Sequence, residues 1–174
     1  MKPLQLNGTY YVQEDRIMLR IKTENNTEYR FWLTRLITKN ICDIIEKISI
    51  KNITGQNKSK SLSQGVIQAI DDMQQQAIEN ETDLTQSYKG ANKLPLGGDP
   101  VLILDLAFTI HSPSLIRIKY TLKNQANIEF EFNMATLARV RLLLNQLANK
   151  GRWDLNQPSN KTDLEQIPLK HSIH

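Results

Sequence analysis

The stretch Arg16–Ile48, RIMLRIKTENNTEYRFWLTRLITKNICDIIEKI, decides how the rest of this chain is read. Ile17, Leu19 and Ile21 alternate with Met18, Arg20 and Lys22, and Tyr29, Phe31 and Leu33 alternate with Arg30, Trp32 and Thr34. A period of two marks strands with one buried face. Directly opposed residues of a hairpin share a face, so Ile21 must oppose Tyr29, Leu19 oppose Phe31 and Ile17 oppose Leu33. That register leaves Glu24-Asn25-Asn26 as a three-residue loop, whose last residue commonly enters the left-handed region that Asn tolerates. A two-residue Asn-Asn turn would set Ile21 against Arg30 and split the hydrophobic face. Beyond the hairpin, Thr34 or Thr38 is placed to cap a helix in which Ile37, Ile41, Ile44, Ile45 and Ile48 recur at helical spacing. So many β-branched residues make a weak helix alone; burial against the sheet has to hold it.

The pattern returns. At a single offset of 99, Ile17, Leu19 and Ile21 fall on Ile116, Ile118 and Tyr120, and Tyr29, Phe31 and Leu33 fall on Ile128, Phe130 and Phe132. Ile41, Ile44, Ile45 and Ile48 fall on Val140, Leu143, Leu144 and Leu147. Such a shared pattern is what a duplicated packing unit requires. The expected fold is α+β, with two pseudo-symmetric units of antiparallel strands plus one helix, the helices covering the apolar face. Residues 1–50 form the first unit and 101–151 the second. Residues 51–100 supply a linker, an acidic helix and a Gly/Pro loop, and 152–174 a tail, all within one compact domain.

Around these units the signals are local. A first strand is expected near Thr9–Val12, and residues 51–60 read as a polar, basic linker. Ser61 or Ser63 starts a helix with Val66, Ile70, Met73 and Ala77 along one face and Ile67 and Ile78 beside it. Residues 85–100 hold three of seven glycines and two of six prolines and read as a mobile loop. Val101–Ile110 is the most apolar run, a central strand with Leu102, Leu104, Leu106, Phe108 and Ile110 on one face. Gly151 is placed to end the last helix; Trp153 and Leu155 should dock, and the final residues fray.

The charge of +4 is uneven, with 11 basic against 6 acidic residues in 1–60, 2 against 6 in 61–100, and 9 against 6 in 101–174. That means either internal neutralisation or a basic face left for an acidic partner. One cysteine, Cys42, excludes an internal disulfide and suits a reducing compartment. The first residues do not read as a secretory signal, and no run approaches the roughly 20 apolar residues of a membrane helix. A soluble cytoplasmic protein is expected. The richness in Asn, Gln, Ile and Lys suggests an AT-rich bacterial or phage genome.

Chemistry is sparse. The chain has no phosphate-cradling glycine motif, no HExxH and no paired cysteines, so neither cofactor nor metal is expected, and no enzymatic activity. His111 ends an apolar strand, and His171 and His174 lie in the tail. Cys42 reads as a small residue at the core's edge, and Asp105, on the minor face of an apolar strand, reads as edge-facing or solvated, with a buried carboxylate as the alternative. The sharper signal separates the two hairpins. The second pairs Lys119 with Glu129 and Arg117 with Glu131, which neutralises an open face. The first pairs Arg20 with Arg30 and Met18 with Trp32, and only Lys22 meets a carboxylate, Glu28. The candidate binding face is therefore Arg16, Met18, Arg20, Lys22, Arg30, Trp32 and Arg35. Three fates compete for it: cover by the acidic helix or the tail, a protein interface anchored by Trp and Arg, or nucleic-acid binding with Trp32 stacked on a base.

The block Glu28–Arg35, EYRFWLTR, resembles the strand-to-helix junction of small uncharacterised bacterial proteins of the YjeJ type, a resemblance that implies no activity. The repeated order of strands and one helix is similar in topology to the Whirly and Pur single-strand nucleic-acid binders, which would imply a sheet presented to the strand. Here each unit has three strands instead of four, and the second sheet face is neutralised. The expectation is a non-enzymatic intracellular module that binds a protein partner or itself, as a homodimer for example. A nucleic-acid-binding accessory protein is the alternative, and no membrane is involved.

Overall fold

The computed structural model describes residues 1–56, 63–81, 88–112 and 115–155. In chain order it contains β1 (Pro3–Tyr11), β2 (Arg16–Thr23), β3 (Glu28–Leu33), α1 (Arg35–Gln56), α2 (Gln64–Glu81), β4 (Val101–Ser112), β5 (Leu115–Leu122), β6 (Asn127–Phe132) and α3 (Met134–Lys150). The protein is α+β, with six strands in one mixed sheet of order β1-β2-β3-β4-β5-β6. Each half is an antiparallel meander, and the halves meet where β3 runs parallel to β4 over Phe31–Val101 and Trp32–Leu102.

Both hairpins have the register that their apolar alternation requires. Ile17, Leu19 and Ile21 face Leu33, Phe31 and Tyr29, and Ile116, Ile118 and Tyr120 face Phe132, Phe130 and Ile128. The Thr23 N–H bonds the Thr27 carbonyl around the Glu24–Asn26 loop, and Asn26 takes φ +54°. Gln125 does the same in the second hairpin at φ +62°. A short polar side chain tolerates that region best, so the second turn is the more strained.

The sheet is curled. Phe130 on β6 lies edge-on to Tyr29 at 5.2 Å and to Phe31 at 6.2 Å, although β4 and β5 separate these strands in the sheet. Tyr120 stacks on Phe31 at 5.4 Å, so the two apolar faces close on a shared aromatic core. The Met1 amine donates to the Glu129 carbonyl at 3.3 Å and its carbonyl accepts from the Glu131 N–H at 2.7 Å. The start of the chain thus lies along β6.

The Thr34 hydroxyl accepts from the Ile37 N–H and caps α1, whereas Thr38 is already helical and turns its hydroxyl back to the Thr34 carbonyl. All five isoleucines of the expected stripe are buried, at about 1.5–3 kcal/mol each by transfer. The helix continues past residue 50 to Gln56, with Ile53 also buried, so much of the expected linker is helix. Asn133 caps α3 by accepting from the Thr136 N–H at 2.8 Å. At Gly151 it is space that demands glycine, because a Cβ would meet the Tyr10 ring. The left-handed turn falls one residue later, at Arg152.

Three expectations need correction. β1 begins at Pro3 and ends at Tyr11, earlier than the strand expected near Thr9–Val12, because Leu6, Gly8 and Tyr10 pair with the buried face of β2. In β4 an irregularity between Ile103 and Asp105 shifts the alternation. Ile103 is buried and Leu104 is 53% exposed, so Leu104 leaves the face it was expected to share with Leu106 and Phe108. On α2, Val66 and Met73 are exposed, and the buried position is Asp71. The described part of the 85–100 stretch is loop, and residues 57–62, 82–87, 113–114 and 156–174, with His171 and His174, lie outside the described residues.

Candidate functional site

The first hairpin's outer face follows from its register: Lys22 opposite Glu28, Arg20 opposite Arg30, Met18 opposite Trp32. Two guanidiniums directly opposed destabilise a sheet by some tenths of a kcal/mol. The structure separates them. Arg30 turns to Glu28, Nε to Oε1 at 2.6 Å, and donates to the Gly98 carbonyl at 2.7 Å. Arg20 lies 5.2 Å from the Tyr88 ring centroid in a cation–π contact, and its Nε is buried with no hydrogen-bond partner among the described residues.

Among the described residues the cover over this face is the loop from Tyr88 to Pro100 and not the acidic helix, while most of the tail lies outside the described residues. Lys22 donates to the carbonyls of Lys89 and Gly90, and the Glu28 N–H to that of Lys93. Glu28, fully buried, is the pivot: its other carboxylate oxygen accepts from the Tyr88 hydroxyl at 2.9 Å and the Ala91 N–H at 3.2 Å. Burial alone would raise the Glu28 carboxyl. The bonds from Arg30, Tyr88 and Ala91 outweigh it and hold the group below its ordinary value. Burial, and then the adjacent carboxylate, push the Tyr88 phenol upward.

The other candidates sit toward the opposite end of the hairpin. Trp32 is half-buried, edge-on to Tyr11 at 5.0 Å, and Met18 beside it is buried. Arg16 pairs with Glu14 at 3.5 Å. Arg35 is exposed, with its guanidinium 5.8 Å from the Trp153 ring and a bond to the Arg152 carbonyl. Trp153 is buried and its indole N–H donates to Asp15, which also accepts from Tyr10. Those two bonds hold the Asp15 carboxyl below its ordinary value, with burial opposing and Arg35 assisting. The seven predicted residues therefore divide. Arg20, Lys22 and Arg30 meet the loop, Met18 is buried, and Arg16, Trp32 and Arg35 lie toward the other end of the hairpin, where Tyr11 meets Trp32 and Val12 and Leu36 are exposed.

A second charged centre escaped the sequence reading. Asp71 on α2 is fully buried, accepting from the Ser49 hydroxyl at 2.6 Å and from Arg141 at 2.7 Å, and Arg141 also meets Glu46 at 3.2 Å. One carboxylate thus ties α2 to α1 and α3. A signal was present: Ile67, Asp71 and Ile78 share a helical stripe, and Arg141 occupies the offset position of Cys42.

Reactive groups are placed as follows. Burial pushes the Cys42 thiol up to about 12, so it stays protonated at neutral pH. Asp105 is exposed, on the solvent side of β4. Among the described residues no cluster of His, Cys, Asp and Glu is arranged to hold a metal ion, and no helix is long and apolar enough to cross a membrane. A groove of about 340 Å³ runs between the three helices, lined by Ile45, Ser49, Gln75, Ile78 and Met134. No family model, no curated protein and no solved structure matches this chain.

Proposed function

We propose that this chain is a non-enzymatic intracellular module that binds a protein partner or assembles with itself, using the end of the sheet around Trp32. One observation carries this reading. Lys22 and Arg30, the cations best placed on the hairpin to track phosphates, spend their hydrogen bonds on loop carbonyls and Glu28. Toward the opposite end of the hairpin, where Trp32 meets Tyr11, aliphatic side chains stay open, with Val12 73%, Leu36 57% and Leu104 53% exposed. Clustered apolar residues with an aromatic centre and an arginine rim have the composition of a binding anchor.

Nucleic acid is the second reading, favoured by Arg16 and Arg35 at the same end as the half-buried indole of Trp32. Site-specific photo-crosslinking in cells separates the two. A photoreactive residue replaces Leu36 or Leu104, with exposed Gln68 on α2 as the control position. Protein adducts from Leu36 and Leu104, absent from Gln68, are expected. Adducts to nucleic acid instead, or yields that do not depend on position, overturn the reading.

A further inference from the structure

The sheet has an unequally protected edge. β4 runs for 12 residues, yet only Val101 and Leu102 pair with β3. Among the described residues, no main-chain hydrogen bond other than those to β5 falls on Ile103–His111. A strand edge left this way is a template for another strand, and proteins blunt such edges with Lys, Pro or close cover. The edge of β1 has those devices. Lys2 and Pro3 stand at its start, and Gly8, where a Cβ would meet Leu147 and Leu143, lets α3 lie against the strand. β4 lacks the Lys and the Pro, although α1 touches it and an irregularity stands at each end of Asp105–Ile110. Its VLILDLAFTIHS contains neither Lys, Arg nor Pro, and Phe108, opposite Ile118 as Gly8 is opposite Leu19, fills its place with a ring.

We infer that the occupant of this edge is a second copy of the chain, its β4 paired antiparallel about a twofold axis at Phe108. The inference rests on the proposed binding role and names the partner. The pattern of β4 is self-complementary about that point. Asp105 and His111 lie three residues to either side of Phe108, and both are exposed. Antiparallel pairing centred there brings Asp105 of each copy opposite His111 of the other, while Leu106 faces Ile110 and Ala107 faces Thr109. A closed pair formed this way consumes both free edges and cannot grow into a fibre.

The test uses sedimentation equilibrium on the full chain. The wild type should be a reversible dimer. Asp105→Lys, which sets Lys against His111, should weaken it about tenfold, as two lost cross-strand pairs of ~0.7 kcal/mol imply. Asp105→Lys/His111→Asp should restore the wild-type constant. Within one copy the two positions are six residues apart, or ~20 Å along a strand, so the rescue can only act between copies. Both side chains are exposed, and circular dichroism verifies that each variant is folded. A chain that stays monomeric at every accessible concentration overturns the inference, and so does a dimer indifferent to the swap. If the chain is monomeric yet Leu36 still crosslinks to another protein, the binding role stands and the self-partner falls. If no position crosslinks to protein, the role falls as well.

Discussion

On the β5–β6 hairpin, Arg117 reaches Glu131 at 2.8 Å and Glu129 at 3.7 Å on a face open to solvent, whereas on β2–β3 the same positions hold Met18, Trp32 and Arg30. The first face neutralises itself across its strands. The second cannot, and the chain brings in the Tyr88–Pro100 loop, whose main-chain carbonyls take the cations' hydrogen bonds. The helices repeat the contrast: α3 carries Arg141 where α1 carries Cys42, and only Arg141 needs a buried counter-charge from α2. A sheet face whose charges do not cancel recruits cover from elsewhere in the chain. A hairpin's outer face therefore has to be read together with distant loops.

The largest test of this contrast is Arg141→Ala. It strands Asp71 as a buried charge and should cost about 3–5 kcal/mol in urea denaturation. Cys42→Ala, at the matching position, should cost about 1 kcal/mol, since only a small cavity is left. Asp71→Leu/Arg141→Met should recover most of the loss, because a buried pair exchanged for apolar residues of similar size is often close to neutral. If Arg141→Ala costs no more than Cys42→Ala, the buried ion pair is not what holds α2.

Next is Glu28→Gln, expected to cost about 2 kcal/mol through its charge-assisted bonds. Glu28 is depressed in the folded state, so its contribution is present above the ordinary carboxyl value of 4.5 and is lost as pH falls through the lower folded value. Stability curves of wild type and Glu28→Gln should therefore converge in acid. Parallel curves would show that the loop is held by something other than this carboxylate.

Gly8→Ala should cost about 1–3 kcal/mol by pressing on Leu147, which would confirm that α3 lies against β1. Smallest is Arg117→Ala on the self-neutralised face, expected to change stability by under about 1 kcal/mol and to lose even that in high salt. A larger effect would mean that the open ion pairs matter as much as the covered ones.

The registers of both hairpins were legible because a period of two admits only one pairing that keeps every apolar residue on a single face. The helical stripe of α1 was legible for the same reason. The buried face of α2 was not. Val66, Ile70, Met73 and Ala77 make an equally good apolar stripe, and the face that wins contains an aspartate whose partner lies 70 residues away. The shift in β4 is announced by no glycine or proline, although Asp105 stands beside it in the apolar run. Of the site, the unbalanced charges and the placing of Trp32 on the outer face could be read from residue types. The loop as cover could not, because apart from Tyr88 it acts through backbone groups that any loop would supply. Glu28 looked like one half of a surface pair with Lys22, and nothing local reveals that its side chain is fully buried.

The seam between β3 and β4 is two residue pairs long, and 70 residues of chain separate Trp32 from Leu102. Each meander zips through tight turns on a microsecond scale, whereas the seam must close a long loop before it gains anything. The halves should thus form early and join late, and on unfolding they should part along this line first. Amide hydrogen exchange at Val101 and Leu102 would then be faster than at Leu19 or Ile118, so the middle of the sheet, and not its rim, is where the native state first opens.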